Sequence, residues 1–151
     1  MERPGRASDD VDWERPSIAR VYDYYLGGSH NFVVDRRMAR RAIEVWPELP
    51  VIMQANRAFL RRAVRYLIRA GITQFLDLGS GIPTEGNVHE VAQMALPEAR
   101  VVYVDIDPIA VAYSRDILSG NQRVEVIQAD LRDVAAIFDD SRTRRLINPT
   151  Q

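Results

Sequence analysis

The chain has 151 residues, 46% of them hydrophobic and 27% charged, with a formal net charge of -1. This is the composition of one globular domain, without the broad positive field that draws proteins to nucleic acid. It has no cysteine and all 20 of its Lys+Arg positions are arginine, which excludes a thiol nucleophile, disulfides, a thiolate zinc site, a Schiff-base lysine and a lysine-bearing phosphate loop.

Residues 1–15 combine Pro, Gly and charge with no apolar period and read as a disordered tail. They show no signal-peptide hydrophobic region, and no apolar run further on approaches the roughly 20 residues that span a bilayer. A cytoplasmic location without a membrane partner is therefore expected. Residues 16–71 read as a helical region. Ser17 stands at the N-cap of a short helix carrying Ile18, Val21, Tyr22, Tyr25 and Leu26 at three- and four-residue spacing, stopped by Gly27-Gly28. Asp35 to Val45 reads as a second helix, ending near Trp46-Pro47. The clearest helix runs from Val51 to Ala70, with Ala55, Phe59, Ala63, Leu67 and Ala70 on one stripe beside Met53, Leu60, Val64 and Ile68, and Gly71 as its C-terminal cap. The row Arg57, Arg61, Arg62, Arg65 and Arg69 reads as its solvated face.

From Ile72 the rhythm becomes strand, turn, helix. Strands are expected over Gln74–Leu78, Arg100–Asp105 and Val124–Ala129, and helices over Glu85–Ala95, Pro108–Leu118 and Val134–Phe138. Such alternation predicts an α/β fold in which right-handed crossovers build a parallel sheet with helices on both faces. The three apolar runs bring an acid to their C-terminal ends, Asp77, Asp105 and Asp130, and Gly79-Ser80-Gly81 follows the first. The carboxyl ends of neighbouring parallel strands line ligand crevices, and Asp105 follows Gly81 by about the 20-residue interval at which a carboxylate meets a ribose diol. Strand-end acids also cap helices and turns, so both roles stand open for Asp105 and Asp130, while Asp107 before Pro108 reads as a cap.

Charge discriminates among adenosyl ligands. A dinucleotide would set its pyrophosphate beside Asp77, which repels it, and would want a third glycine where Thr84 stands. S-adenosylmethionine instead carries a sulfonium and an α-ammonium, which Asp77 attracts, so it ranks above NAD. Only His30 and His89 are imidazoles and there is no Gly-x-Ser-x-Gly elbow, which argues against a serine hydrolase or a histidine-rich metal centre. His89 reads as a packing or surface residue rather than a base, and Tyr22 and Tyr25 as core, with a lid over the ligand as the alternative for Tyr22 to Gly28.

Phe75-Leu-Asp-Leu-Gly-Ser-Gly resembles motif I of the Rossmann-like S-adenosylmethionine-dependent methyltransferases. More narrowly, Ser17-Ile-Ala-Arg-Val-Tyr-Asp-Tyr-Tyr-Leu-Gly-Gly-Ser-His-Asn-Phe, Gln54-Ala-Asn-Arg-Ala-Phe-Leu and Gly81-Ile-Pro-Thr-Glu-Gly-Asn-Val-His-Glu-Val-Ala are similar to the actinobacterial S-adenosyl methyltransferase family, once known only as a domain of unknown function. The resemblance runs from Ser17 to the C-terminus. It implies a Rossmann-like class I methyltransferase fold with an N-terminal helical extension, S-adenosyl-L-methionine as cofactor, and methyl transfer to an unidentified acceptor. By the same resemblance Asp77, Gly79 and Gly81 frame the methionine moiety with Ser80 beside them, Asp105 takes the ribose hydroxyls, and Asp130 with the Leu131 backbone faces adenine. Arg20 and Asn31 are implied contacts to cofactor or substrate; no catalytic base and no metal ligand is indicated.

Sheets of that family are ordered 3-2-1-4-5-7-6. Residues 72–151 are therefore expected to hold the 3-2-1 half, with a fourth strand starting within Arg144–Gln151 and the second half of the sheet missing. On that expectation the chain is a truncated relative whose first strand has an open apolar edge, a place for a second copy or a complementary chain. Two alternatives to catalysis follow: a non-catalytic adenosyl-ligand binding module, and an interaction protein pairing through that edge.

Overall fold

Strands β1 (Gln74–Leu78), β2 (Arg100–Asp105) and β3 (Val124–Gln128) form one parallel sheet in the spatial order β1-β2-β3 in the computed structural model, which describes residues 14–84 and 86–150. Phe75 lies beside Val101 and Val101 beside Val124, so β2 is flanked on both sides. Its Val101-Val102-Tyr103-Val104 run is buried throughout, as expected for a central parallel strand covered on both faces.

Helices α1 (Ile18–Tyr25), α2 (Val33–Val45) and α3 (Leu49–Arg69) precede the sheet; α4 (Val88–Ala95) and α5 (Pro108–Ile117) are the crossovers, and α6 (Val134–Asp139) and α7 (Ser141–Leu146) follow. Alternate side chains of the strands sort the core into two layers. Val101, Tyr103, Val124 and Val126 pack with Val64 of α3, Val91 of α4 and Val111 of α5. Val102, Val104 and Ile127 pack on the other face with Ile137 of α6 and Leu146 of α7. The α/β class, the parallel sheet and the helices on both faces are as expected. No helix of the described residues is long and apolar enough to cross a membrane.

Several local expectations are corrected. Ser17 occupies the α1 N-cap position but makes no side-chain cap; its Oγ donates to Asp107 and its N–H to Asp35. α4 begins at Val88 rather than Glu85, because Gly86 at φ 66° breaks helical geometry and Asn87 takes the N-cap. In α3 the Ala55, Phe59 and Leu67 side of the anticipated stripe is exposed, and Leu60, Val64 and Ile68 make the inward contacts. Gly71 does cap α3, with Ile72 N–H reaching the Leu67 carbonyl in a Schellman pattern. Where a fourth strand was expected, Arg144 to Leu146 close α7; Ile147 is extended and Asn148 N–H reaches Gln74 at the edge of β1, but no further strand forms among the described residues. The expected tail lies outside the described residues apart from Glu14 and Arg15, and the Arg15 carbonyl accepts from Arg20.

The helical region is tied together by a buried ion pair. Arg20 of α1 and Asp35 of α2 are both 0% exposed, with Nε to Oδ2 at 2.7 Å. Asp35 also accepts from the Ser17 and Phe32 N–H groups, and the Arg20 guanidinium carbon sits 5.2 Å from the Phe32 ring centroid. Removing one partner strands the other charge in a dry interior. Arg20→Met should therefore lower unfolding free energy in urea by about 3–5 kcal/mol, and a loss below about 1 kcal/mol would show that the pair is solvent-screened.

Candidate functional site

The C-terminal end of β1 turns sharply because Gly79 and Gly81 take φ of 71° and 64°, a region closed to most side-chain-bearing residues. The turn is stapled to the end of β2. Gly79 and Ser80 N–H both donate to the Val104 carbonyl, at 2.8 and 3.1 Å, and Gly81 N–H donates to Asp105 Oδ2 at 2.7 Å. Asp105 Oδ1 accepts from Asp107 N–H at 2.9 Å, and Asp107 caps α5 by accepting from Ile109 N–H. The anticipated capping role of Asp107 is therefore seen, and Asp105 braces the backbone that follows β1 and the backbone that follows β2.

Beside this brace a cleft of about 300 Å³ opens, lined by Gly79, Asp105, Ile106, Asp130 and Leu131 among others. Four residues singled out from the sequence, Gly79, Asp105, Asp130 and Leu131, thus meet in one concavity, as their placement after three adjacent parallel strands requires. Asp130 also organises the turn after β3, accepting from Arg132 N–H and pairing with its guanidinium, which holds its carboxyl down at about 2. Asp77, Ser80 and Gly81 lie off this cleft. Burial pushes the Asp77 carboxyl above its usual range; Arg57 opposes that shift and Asp105 adds to it. The Ser80 hydroxyl is buried without a partner.

A second cleft, of about 490 Å³, runs between the α1–α2 connection and α3, where Gly28, His30, Arg57, Arg61 and Thr84 line it. α1 ends in a Schellman turn, with Gly27 N–H to the Tyr24 carbonyl and Gly28 N–H to that of Asp23. Gly28 is sterically compelled as well, since a Cβ there would stand 2.0 Å from Asp23 Oδ1. Arg57, expected on a solvated helix face, is instead buried and lines this cleft. Arg57 lies on the same helical face as Leu60, Val64 and Ile68, the side that packs on the sheet, so its burial follows once the facing of α3 is fixed. Arg20 is committed to Asp35, and Asn31 donates to Asp23 and to the Gly28 carbonyl, so both shape the connection from within. Tyr25 is buried against α2, and Tyr22 is half-buried under Arg57.

His89 packs rather than faces either cleft. Its Nδ1 is 2.7 Å from the Tyr103 hydroxyl, which also accepts from His89 N–H. Burial pushes the Tyr103 phenol well above its usual range.

The family model described as S-adenosyl methyltransferase matches residues 4–151. No curated protein matches. Among solved structures, a candidate methyltransferase from Thermobifida fusca is 48% identical with a TM-score of 0.88, over 93% of this chain and 53% of its own. A DUF574 family protein from Streptomyces avermitilis is 43% identical with a TM-score of 0.86, over 91% of this chain and 54% of its own. The chain thus spans about half the length of these neighbours. The family's description implies S-adenosyl-L-methionine as its cofactor.

The His89 environment sets a pH dependence. Burial holds its imidazole below the ordinary 6.5, with Glu90 opposing. As pH falls through 6.5 the unfolded chain binds a proton here that the folded chain refuses, so stability falls with pH in that window. Thermal melts at pH about 7.5 and about 5.5 should show a larger drop for the wild type than for His89→Asn. Equal drops would place the imidazole in solvent.

Proposed function

We propose that this chain, which belongs to the S-adenosyl methyltransferase family, holds S-adenosyl-L-methionine across the C-terminal ends of β1, β2 and β3 and presents it to a methyl acceptor. The observation that carries the reading is the convergence of Gly79, Asp105, Asp130 and Leu131 on one cleft. A carboxylate offers about four acceptor positions. Gly81 and Asp107 N–H occupy two of those on Asp105, and the remainder are free for the two hydroxyls of a ribose. Ile106 and Leu131, both exposed in the present cleft, supply apolar surface for a flat base. Asp130 is held at their side by Arg132, whose N–H and guanidinium together bind both of its carboxylate oxygens. The positive φ values of Gly79 and Gly81 let the backbone pass close to the ligand at the point where Asp77 favours a cationic group.

When bound, the cofactor supplies a methyl group activated by a sulfonium. The residues described here bind and orient; no side chain in either cleft is assigned as a base, and alignment alone supplies much of the rate in such displacements. NAD fits less well. Its pyrophosphate would approach the carboxylate of Asp77, and Thr84 stands where the dinucleotide fingerprint has its third glycine.

Titration calorimetry of the folded chain with S-adenosylhomocysteine tests the assignment. We expect saturable binding, weaker by about 100-fold in Asp105→Ala, which forfeits two charge-assisted hydrogen bonds to the ligand and releases the Gly81 and Asp107 N–H groups, while circular dichroism remains that of a folded chain. Tighter binding of NAD, or unaltered affinity in the folded variant, would contradict it.

A further inference from the structure

Arg57 and Arg61 stand one turn apart on α3 and both line the cleft beside the α1–α2 connection. Arg57 is only 8% exposed. Its contacts are a 3.4 Å hydrogen bond from Nη1 to Asn87 Oδ1 and the Tyr22 ring, whose centroid lies 5.7 Å from Cζ. Its Nε is buried with no acceptor, and so is Nε of Arg61. Among the described residues, ion pairs are made by Arg20, Arg132, Arg142, Arg144 and Arg145, and neither cleft arginine shares in one.

Packing does not account for this arrangement. A guanidinium carries five donors, and burying its Nε–H without an acceptor is costly. A second like charge one turn away adds repulsion. An apolar side chain of similar length would fill the space with neither penalty. An anion entering the cleft relieves both.

Asp77 narrows which anion this is. It stands at the end of β1, two residues before the glycine turn beyond which Thr84 lines the cleft, so a phosphate drawn to Arg57 would approach a carboxylate. An α-amino acid is not opposed, because its ammonium and carboxylate sit on the same carbon and meet one partner each. The cleft reaches Thr84, just past the glycine turn, where a tail leaving that turn would enter.

We propose that Arg57 holds the α-carboxylate of the cofactor's amino-acid tail, with the α-ammonium of that tail turned toward Asp77. Arg61 adds positive field from the next turn. Its stem lies over Gly86, where a Cβ would come within 2.8 Å of Nε. The assignment rests on the cofactor reading above and adds a recognition residue contributed by the helical region.

The test compares two probes by calorimetry, S-adenosylhomocysteine and its decarboxylated analogue, which keeps adenosine, sulfur and amine. Wild type should bind the analogue at least about tenfold more weakly, the size of one charge-assisted contact. In Arg57→Met that gap should close to within about twofold, through loss of affinity for S-adenosylhomocysteine alone, and Arg57→Lys should restore part of it. Equal affinities in wild type would overturn the proposal without any variant. A gap that persists in Arg57→Met, or a loss shared equally by both probes, would overturn it while leaving the cofactor reading standing. Failure of wild type to bind either probe would remove both.

Discussion

The site depends on how the chain leaves β1. Three successive N–H groups, of Gly79, Ser80 and Gly81, are drawn to the end of β2, two by the Val104 carbonyl and one by the Asp105 carboxylate. A turn with two positive-φ glycines is entropically loose on its own. Tied to a strand buried on both faces it becomes rigid, and the crevice between β1 and β3 acquires fixed walls. Asp105 is central because it is a structural brace and retains acceptor capacity toward the cleft. A carboxamide would offer one oxygen and a misplaced donor, and alanine would release Gly81 and Asp107 together.

The helical region acts on the same edge from outside. The buried Arg20–Asp35 pair fixes α1 against α2, and Ser17 ties the start of α1 to Asp107 at the start of α5. α1 is thereby laid against the segment after the glycine turn and against α5, where Ala19 packs with Ile82, Ile109 and Tyr113. Charge in the interior is distributed unevenly. Arg20 is ion-paired with Asp35 and bound to the Arg15 carbonyl, with Nη1 alone left without an acceptor, whereas Arg57 has no ion pair and is held by one long hydrogen bond and an aromatic ring. The first pattern belongs to a structural ion pair; the second leaves binding capacity directed into a cleft.

Much of the sheet was legible in the sequence because apolar runs bounded by turn residues are an unambiguous signal. Gln74–Leu78 and Arg100–Asp105 coincide with β1 and β2, and β3 stops one residue short of the expectation. Helix α3 was legible as an element but its facing was not, since Ala55, Phe59 and Leu67 form as good an apolar stripe as Leu60, Val64 and Ile68, and only the docked sheet decides between them. α7 carried no periodic signal: Ser141 to Leu146 has only Thr143 and Leu146 turned inward, and the helix is started by the Asp140 cap. Convergence of the glycine turn, Asp105, Asp130 and Leu131 followed from strand order. The burial of Arg57 did not, because a row of arginines on a helix ordinarily marks solvent, and its inward phase emerges only once the facing of α3 is known.

The most direct measurement is a set of amide correlation spectra of the isotope-labelled chain, recorded as S-adenosylhomocysteine is added. The account predicts saturable shifts concentrated at Gly79 to Gly81, Asp105, Ile106, Asp130 and Leu131, with α2 and α7 unmoved. Saturable shifts centred away from the ends of the three strands, or a folded spectrum that does not change, would contradict it.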